Sequence, residues 1–277
     1  MSDAPMLLDV ADGVALITFN RPKQLNAFTK ESNRLFDAAM IRCEQDPEVR
    51  AVVMIGTGRG FCVGTDMSDL KETSQKGASE DFPHPERPPA MYDVFADAPI
   101  ELRSRYVLPK ALGKPVIAAV NGACAGIGLA LAASSDVRFA STEAVFTAIF
   151  ARRGLTAETG LAFMLSALMG MGAASDMLLS GRKIPAEEAK AMGLVNQVTA
   201  PENLLSQAMA YARDIAANVS PRSTRVIKKQ LWAAQRQSFL DAAILAYREA
   251  GRSLKSEDFR EGVAHFLERR APRFTGQ

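Results

Sequence analysis

Apolar and polar residues alternate along this chain in two distinct ways. Residues 51–55 (AVVMI) and 116–120 (VIAAV) are unbroken apolar runs bounded by glycine or proline, the pattern of strands buried on both faces. Residues 7–10 and 14–19 flank Asp12-Gly13, a dipeptide favoured in tight hairpin turns. Leu35, Phe36, Ala39, Met40 and Cys43 recur at helical spacing behind Thr29, a good cap, and Asp46-Pro47 closes that helix. Residues 129–133 continue as an apolar helix. Short strands are expected at 137–140, 144–146 and 195–198, and a helix through Leu168 follows Gly160. Pro185 and Gly193 bracket a further helix over 186–192. Strands alternating with helices predict a layered α/β architecture.

Beyond Pro201 the pattern is helical throughout. Leu204, Ala208, Tyr211 and Ile215 form one stripe, Ser220-Pro221 start the next helix, and 241–248 and 257–269 complete the set. A boundary is therefore placed near residue 200, with an α/β core over 1–200 and a helical region over 201–277. Such striped helices need a partner surface.

Residues 71–109 break the regularity. They are rich in charge and proline (Pro83, Pro85, Pro88, Pro89), which reads as a solvated excursion or as a mobile cover over a bound ligand. Met91, Tyr92, Val94 and Phe95 would form the apolar underside of a cover.

Composition narrows the picture. The chain has 277 residues, 48% of them hydrophobic, enough to bury a substantial core. The formal charge of +2 calls for neither nucleic acid nor an acidic membrane. Cys43, Cys62 and Cys124 are odd in number and lack CxxC spacing, so neither disulfides nor zinc is expected. Asp3 and Asp9 near the start, with no basic region before an apolar core, suggest no signal peptide. No apolar run looks long enough to span a bilayer, so a cytoplasmic protein without membrane attachment is expected.

The chemistry-bearing feature is a repeated corner. After 116–120, Asn121-Gly122 breaks the strand and Gly126-Ile127-Gly128 turns tightly into a helix. After 51–55 come Gly56-Thr57-Gly58-Arg59-Gly60 and then Phe61-Cys62-Val63-Gly64-Thr65-Asp66. Each could be an ordinary strand exit. Side by side, they could aim one backbone N–H each at a shared point, which is how an oxyanion hole is built.

Asn20-Arg-Pro-Lys-Gln-Leu-Asn-Ala27, Gly58-Arg-Gly-Phe-Cys-Val-Gly-Thr-Asp66 and Lys114-Pro-Val-Ile-Ala-Ala-Val-Asn-Gly122 together resemble, in order and spacing, the signatures of the crotonase family of enoyl-CoA hydratases and isomerases. The resemblance extends from about residue 7 to 274. It implies a crotonase-like spiral of repeated ββα units with a C-terminal helical oligomerisation region, self-associating as a trimer or hexamer. It also implies an acyl-CoA thioester substrate, with coenzyme A entering as part of the substrate and no permanently bound cofactor.

Carried over from the family motifs, the oxyanion donors fall on the amides of Thr65 and Ile127. The two glutamates that activate water in family hydratases would stand at Ala130 and Phe150, where this chain is apolar. Glu158 matches the position where several family isomerases carry a single catalytic acid. It also stands just ahead of a helix, where negative charge is favourable by ~0.3–1 kcal/mol. Its neighbours Leu155, Ala157, Leu161 and Phe163 are apolar, and burial among them would raise its pKa. Lys23, Cys62, Val63, Asp66, Arg273 and Phe274 are the candidates for holding the coenzyme A portion, the last two of a neighbouring subunit's ligand. The resulting expectation is a 3-enoyl to 2-enoyl shift by one carboxylate. Hydration of a 2-enoyl-CoA and a non-catalytic acyl-CoA binder are the alternatives.

Other chemistries lack their parts. The 56–60 glycines resemble a piece of a dinucleotide fingerprint, but 61–66 do not read as the required helix start. His84 and His265 sit in a proline-rich loop and a late helix, and no Gly-x-Ser-x-Gly occurs. Metal-ligand spacing is absent. Lys228-Lys229 is too small a basic cluster for RNA.

Overall fold

The computed structural model describes residues 4–77 and 86–277. Asp3, Pro83, His84 and Pro85, singled out above, lie outside the described residues. The hairpin β1 (Met6–Ala11) and β2 (Val14–Phe19) turns at Asp12 and Gly13, whose φ values of 52° and 75° suit a primed turn. Thr29 caps α1 (Lys30–Gln45) by accepting from Ser32 N, and Phe36, Ala39, Met40 and Cys43 are its buried face.

A strand–strand–helix unit then recurs three times. The first is β3 (Ala51–Gly56), β4 (Gly60–Cys62) and α2 (Met67–Lys76). A connecting stretch ends in the short α3 (Leu108–Ala111). The second unit is β5 (Val116–Val120), β6 (Ala123–Ala125) and α4 (Ile127–Ser134). The third is β7 (Val137–Ser141), β8 (Val145–Thr147) and α5 (Leu161–Ser180). β9 (Ile184–Pro185), α6 (Ala186–Ala191) and β10 (Gln197–Thr199) follow. The chain ends in α7 (Pro201–Asn218), α8 (Pro221–Ala234), α9 (Phe239–Ser253) and α10 (Glu257–Glu268).

Because the first strand of each unit joins one sheet and the second another, the chain winds as a spiral. The large sheet runs β1-β2-β3-β5-β7-β10, parallel except for the β1–β2 hairpin; the small sheet runs β4-β6-β8-β9. The continuous apolar runs are explained by burial on both faces. Val52, Met54, Val116, Ala118 and Val120 face the main core, shared with α1, α4 and the small sheet. Ala51, Val53, Ile117 and Ala119 face the other way, onto Leu204, Ala208, Ala212 and Ala216 of α7.

Several expectations need correction. A helix does open at Met67, with Asp66 as its cap, so the 71–109 excursion begins inside α2. The last strand starts two residues later than the pattern predicts and ends one residue later. α5 runs beyond Leu168 to Ser180, across a non-helical Gly170 at φ 77°, ψ 161°. By length and composition alone α5 could cross a membrane. Its Gly170 break interrupts the helix, and Leu161, Met164, Leu165, Ala174 and Met177 are buried in the protein core. The stretch over 90–107 holds three short 3-10 turns, with Tyr92 and Phe95 buried but Met91 about half exposed. Phe239, Tyr247 and Phe266 on the last two helices are 90%, 82% and 77% exposed, leaving a large apolar face uncovered on the single chain.

Candidate active site

The two glycine corners meet. β4 and β6 are neighbours in the small sheet, with Cys62 opposite Cys124 and a register irregularity between Gly60 and Cys62. A side chain on Gly128 would overlap the Cys62 carbonyl, so α4 starts directly against β4. A Cβ on Gly64 would stand 3.8 Å from the Ile127 nitrogen, and one on Gly126 would stand 3.4 Å from Gly64 Cα. Gly64 and Gly126 have φ values of 108° and 53°, a region that side chains disfavour. These corners need glycine for both reasons.

Four amides belong to this junction. They are those of Gly64, Thr65, Ile127 and Gly128, and a Cβ on Gly128 would stand 3.0 Å from the Cys62 Cβ. Those of Thr65 and Ile127 meet no protein acceptor among the described residues. Thr65 sits in an isolated bridge to Phe28, but that bridge uses the Gly64 carbonyl and the Asp66 amide. Ile127 is the first residue of α4, where an amide has no partner in its own helix. Both residues are half-buried rather than sealed. Two unpaired donors at a helix start favour negative charge.

Ala130 and Phe150 are buried and apolar, as their side chains dictate. Ala130 lies on α4, one turn beyond Ile127. The Phe150 carbonyl accepts the amides of Arg153 and Leu155, tying it to the turn that leads to Glu158. That turn ends with Thr159 and Gly160 both at positive φ, and the Leu161 amide donates back to the Glu158 carbonyl at 3.0 Å. Glu158 thus stands at the head of α5, which packs on α4. Desolvation by its neighbours raises its pKa above the ordinary 4.5. The apolar pocket expected around it is only partly present in the single chain. Leu161 is fully buried, while Glu158 itself, Leu155 (44%) and Phe163 (40%) are exposed.

The other candidates are dispersed. Lys23 is exposed on the 3-10 turn Pro22–Gln24, and Val63 is half-buried beside the first corner. Asp66 is occupied. It caps α2 and pairs with Arg21 at 2.8 Å, and the Arg21 guanidinium holds its carboxyl below the usual range. Cys62 is wholly buried in the single chain. Phe274 is buried within its own chain, ring edge-on to His265 and carbonyl bound by Arg50. Among the described residues no three His, Cys, Asp or Glu side chains cluster as a metal site would need.

Sequence reading treated Asn26 and Asn121 only as parts of motifs. Both prove to hold the turn that delivers β4. Their signal was present, since a buried polar amide beside a glycine turn usually serves backbone groups.

The stretch over 90–107 is anchored at both ends. Tyr92 donates to Asp37 at 2.7 Å, and Arg105 grips the same carboxylate through two nitrogens. On the other side Glu101 meets Trp232 of α8 and Arg236 just beyond its end, and Asp97 meets Lys229 of α8.

The sequence matches the family model for enoyl-CoA hydratase/isomerase over residues 9–277. It is 33% identical over 273 residues to 1,2-epoxyphenylacetyl-CoA isomerase of Escherichia coli K12, covering 98% of each chain. It is 35% identical over 277 residues to a probable enoyl-CoA hydratase of Rhodobacter capsulatus, covering all of both. Among solved structures, a probable enoyl-CoA hydratase/isomerase from Mycobacterium abscessus superposes with a TM-score of 0.84. That chain is 33% identical, with 98% of this chain and 99% of its own covered.

Proposed function

This chain belongs to the enoyl-CoA hydratase/isomerase family and has the crotonase fold; from that premise we propose that it moves the double bond of a 3-enoyl-CoA to the 2-position. The observation that carries the reading is the pairing of one carboxylate, Glu158, with apolar residues at Ala130 and Phe150. Water addition needs a base for water and a proton source for the α-carbon. A 1,3-proton shift needs only one group that takes and returns the same proton.

In the proposed sequence, the Glu158 carboxylate removes a proton from C2. The C2–H electron pair spreads through the conjugated system and places negative charge on the thioester oxygen. The Thr65 and Ile127 amides stabilise that oxygen, by ~3–4 kcal/mol each if they match donors measured in other enzymes. The protonated Glu158 then delivers its proton to C4, which leaves the double bond between C2 and C3. Val63, next to the first corner in the chain, and the exposed Lys23 are the candidates for the coenzyme A portion, Lys23 for a phosphate. The uncovered apolar face of the C-terminal helices fits self-association as a trimer or hexamer.

One observation favours hydration as the second reading. Glu158 is open to solvent in the single chain, so water could reach it. Assaying a 3-enoyl-CoA and a 2-enoyl-CoA side by side separates the two. The proposal expects turnover of the first, abolished in Glu158→Gln with CoA-ester binding retained. Turnover of the 2-enoyl-CoA alone would overturn it in favour of hydration. A wild-type rate in Glu158→Gln would remove Glu158 from the mechanism.

A further inference from the structure

The stretch that carries Glu158 has little packing of its own. Residues 151–158 are all exposed, and the turn passes through Thr159, whose φ of 53° a β-branched side chain disfavours. Backbone held in that region needs support from its surroundings. Past Gly160, the first turn of α5 offers two side chains that give it: Leu161, which is buried, and Phe163, which is 40% exposed. The Phe163 ring meets Trp232 of α8, with centroids 5.4 Å apart and planes inclined at 64°.

Trp232 is itself held from two further directions. Its indole N–H donates to Glu101 Oε1 at 3.3 Å, and the Arg236 guanidinium carbon lies 5.0 Å from the ring centroid. Arg236 also pairs with Glu101, so the two charges hold each other as well as the indole. Toward Phe95, Pro99 and Leu102 the indole borders a cavity, so close packing does not fix it there. One side chain thus joins α8, the 90–107 stretch and the head of α5.

We propose that Trp232 is a positioning residue for Glu158: through Phe163 it fixes the first turn of α5, and with it the Glu158 carboxylate, against the anchored 90–107 stretch. This rests on the reading of Glu158 as the base.

The backbone transmits the restraint. The Leu161 amide donates to the Glu158 carbonyl and the Met164 amide to the Gly160 carbonyl, both at 3.0 Å. Glu158 and Phe163 therefore belong to one hydrogen-bonded unit, and a shift of the ring carries the carboxylate with it. Placement matters more than usual in this chemistry. A carboxylate that takes a proton at C2 and returns it at C4 must reach two carbons from one position, so a small displacement costs rate.

The test measures isomerisation of 3-hexenoyl-CoA by full-length variants. Trp232→Leu and Phe163→Leu each remove the ring contact. Each should lose about tenfold in kcat, with KM changed by no more than about threefold. The double variant should lose no more than the larger single loss, because both changes break the same contact. In both singles the acid limb of kcat/KM should move down toward pH 4.5, since a loosened turn lets water reach the carboxyl and undoes its desolvation. Trp232→Phe, which keeps a ring against Phe163, should retain most of the kcat. Phe163 is partly exposed, so its variant still reads the contact if Trp232→Leu fails to fold. The proposal is overturned if Phe163→Leu keeps the wild-type kcat and acid limb, or if Trp232→Phe loses as much as Trp232→Leu. Losses that multiply to about a hundredfold in the double variant overturn it too. In those cases Glu158 keeps its role. A wild-type rate in Glu158→Gln would instead overturn the reading of Glu158, and this proposal with it.

Discussion

Asn26 and Asn121 donate to the same carbonyl, that of Gly60, at 2.7 and 3.2 Å. They come from opposite sides. Asn26 follows β2 and also donates to Thr57 O at 2.9 Å, while its own oxygen accepts the Arg21 amide. Asn121 follows β5, donates to Gly58 O at 2.9 Å and accepts the Gly56 amide at 3.0 Å. Between them they satisfy the turn that links β3 to β4, a turn too tight and glycine-rich to pair its own carbonyls. That turn sets the line of β4, and β4 leads to Thr65.

Asn26 is 1% exposed, so its loss leaves the Arg21 amide and the Thr57 carbonyl without a partner and the Gly60 carbonyl with Asn121 alone. Asn26→Ala should destabilise the fold by about 2–3 kcal/mol in denaturant unfolding. Asn26→Asp should cost more, because it turns carboxylate oxygens toward two carbonyls. A variant within 0.5 kcal/mol (an approximate surface-mutation effect) would show that the turn holds itself.

Glu158 gives the activity a pH dependence with a definite sign. A base works only when ionised, and desolvation has raised this carboxyl above its ordinary 4.5. The acid limb of kcat/KM should therefore lie above pH 4.5, with activity falling as pH drops through the raised value. A profile flat down to pH 4.5 would speak against Glu158 as the base. Replacement by Asp should keep the limb but lower kcat, since the carboxylate no longer reaches as far.

The Asp37 carboxylate is 2% exposed and is paired with Arg105 and Tyr92. Removing one partner leaves charge buried without compensation. Arg105→Leu should cost about 3 kcal/mol in thermal or denaturant unfolding. Tyr92→Phe, which removes one hydrogen bond to a charged group, should cost about 1.5–3 kcal/mol. Limited proteolysis offers an independent check, with new cleavage expected between residues 90 and 107 in the Arg105 variant.

All three cysteines are buried, and burial pushes the thiols of Cys43 and Cys62 up to about 12. Thiolate is the reactive form, so a chromogenic disulfide reagent at pH 8 should titrate none of them in the native protein and all three after denaturation. Rapid release from the native protein would show that the corner behind Cys62 opens.

The sequence carried the local rules. Apolar runs marked strands buried on both faces, and Asp12-Gly13 marked the hairpin. Glycine at 64, 126 and 128 marked places where backbone approaches backbone. Ala130, Phe150 and Glu158 were legible as residue types, which is why the chemistry could be narrowed to one carboxylate. What periodicity could not show was pairing between segments distant in the chain. The short strands β4, β6 and β9 are two or three residues long, below any readable repeat, and exist because their neighbours supply ladder partners. Nothing in the pattern around Asp66 shows that the fold brings Arg21 and the start of α2 to it. Nothing near Phe274 in the sequence shows that Arg50 and His265 hold it within its own chain. Cys62 stands in the sequence only as a member of the Gly58–Asp66 motif. Only the meeting of two corners, separated by some sixty residues of sequence (Gly64 and Gly128), buries it against the start of α4. A residue's type fixes what it can donate, accept or bury, whereas its partner is chosen by the packing of the whole chain.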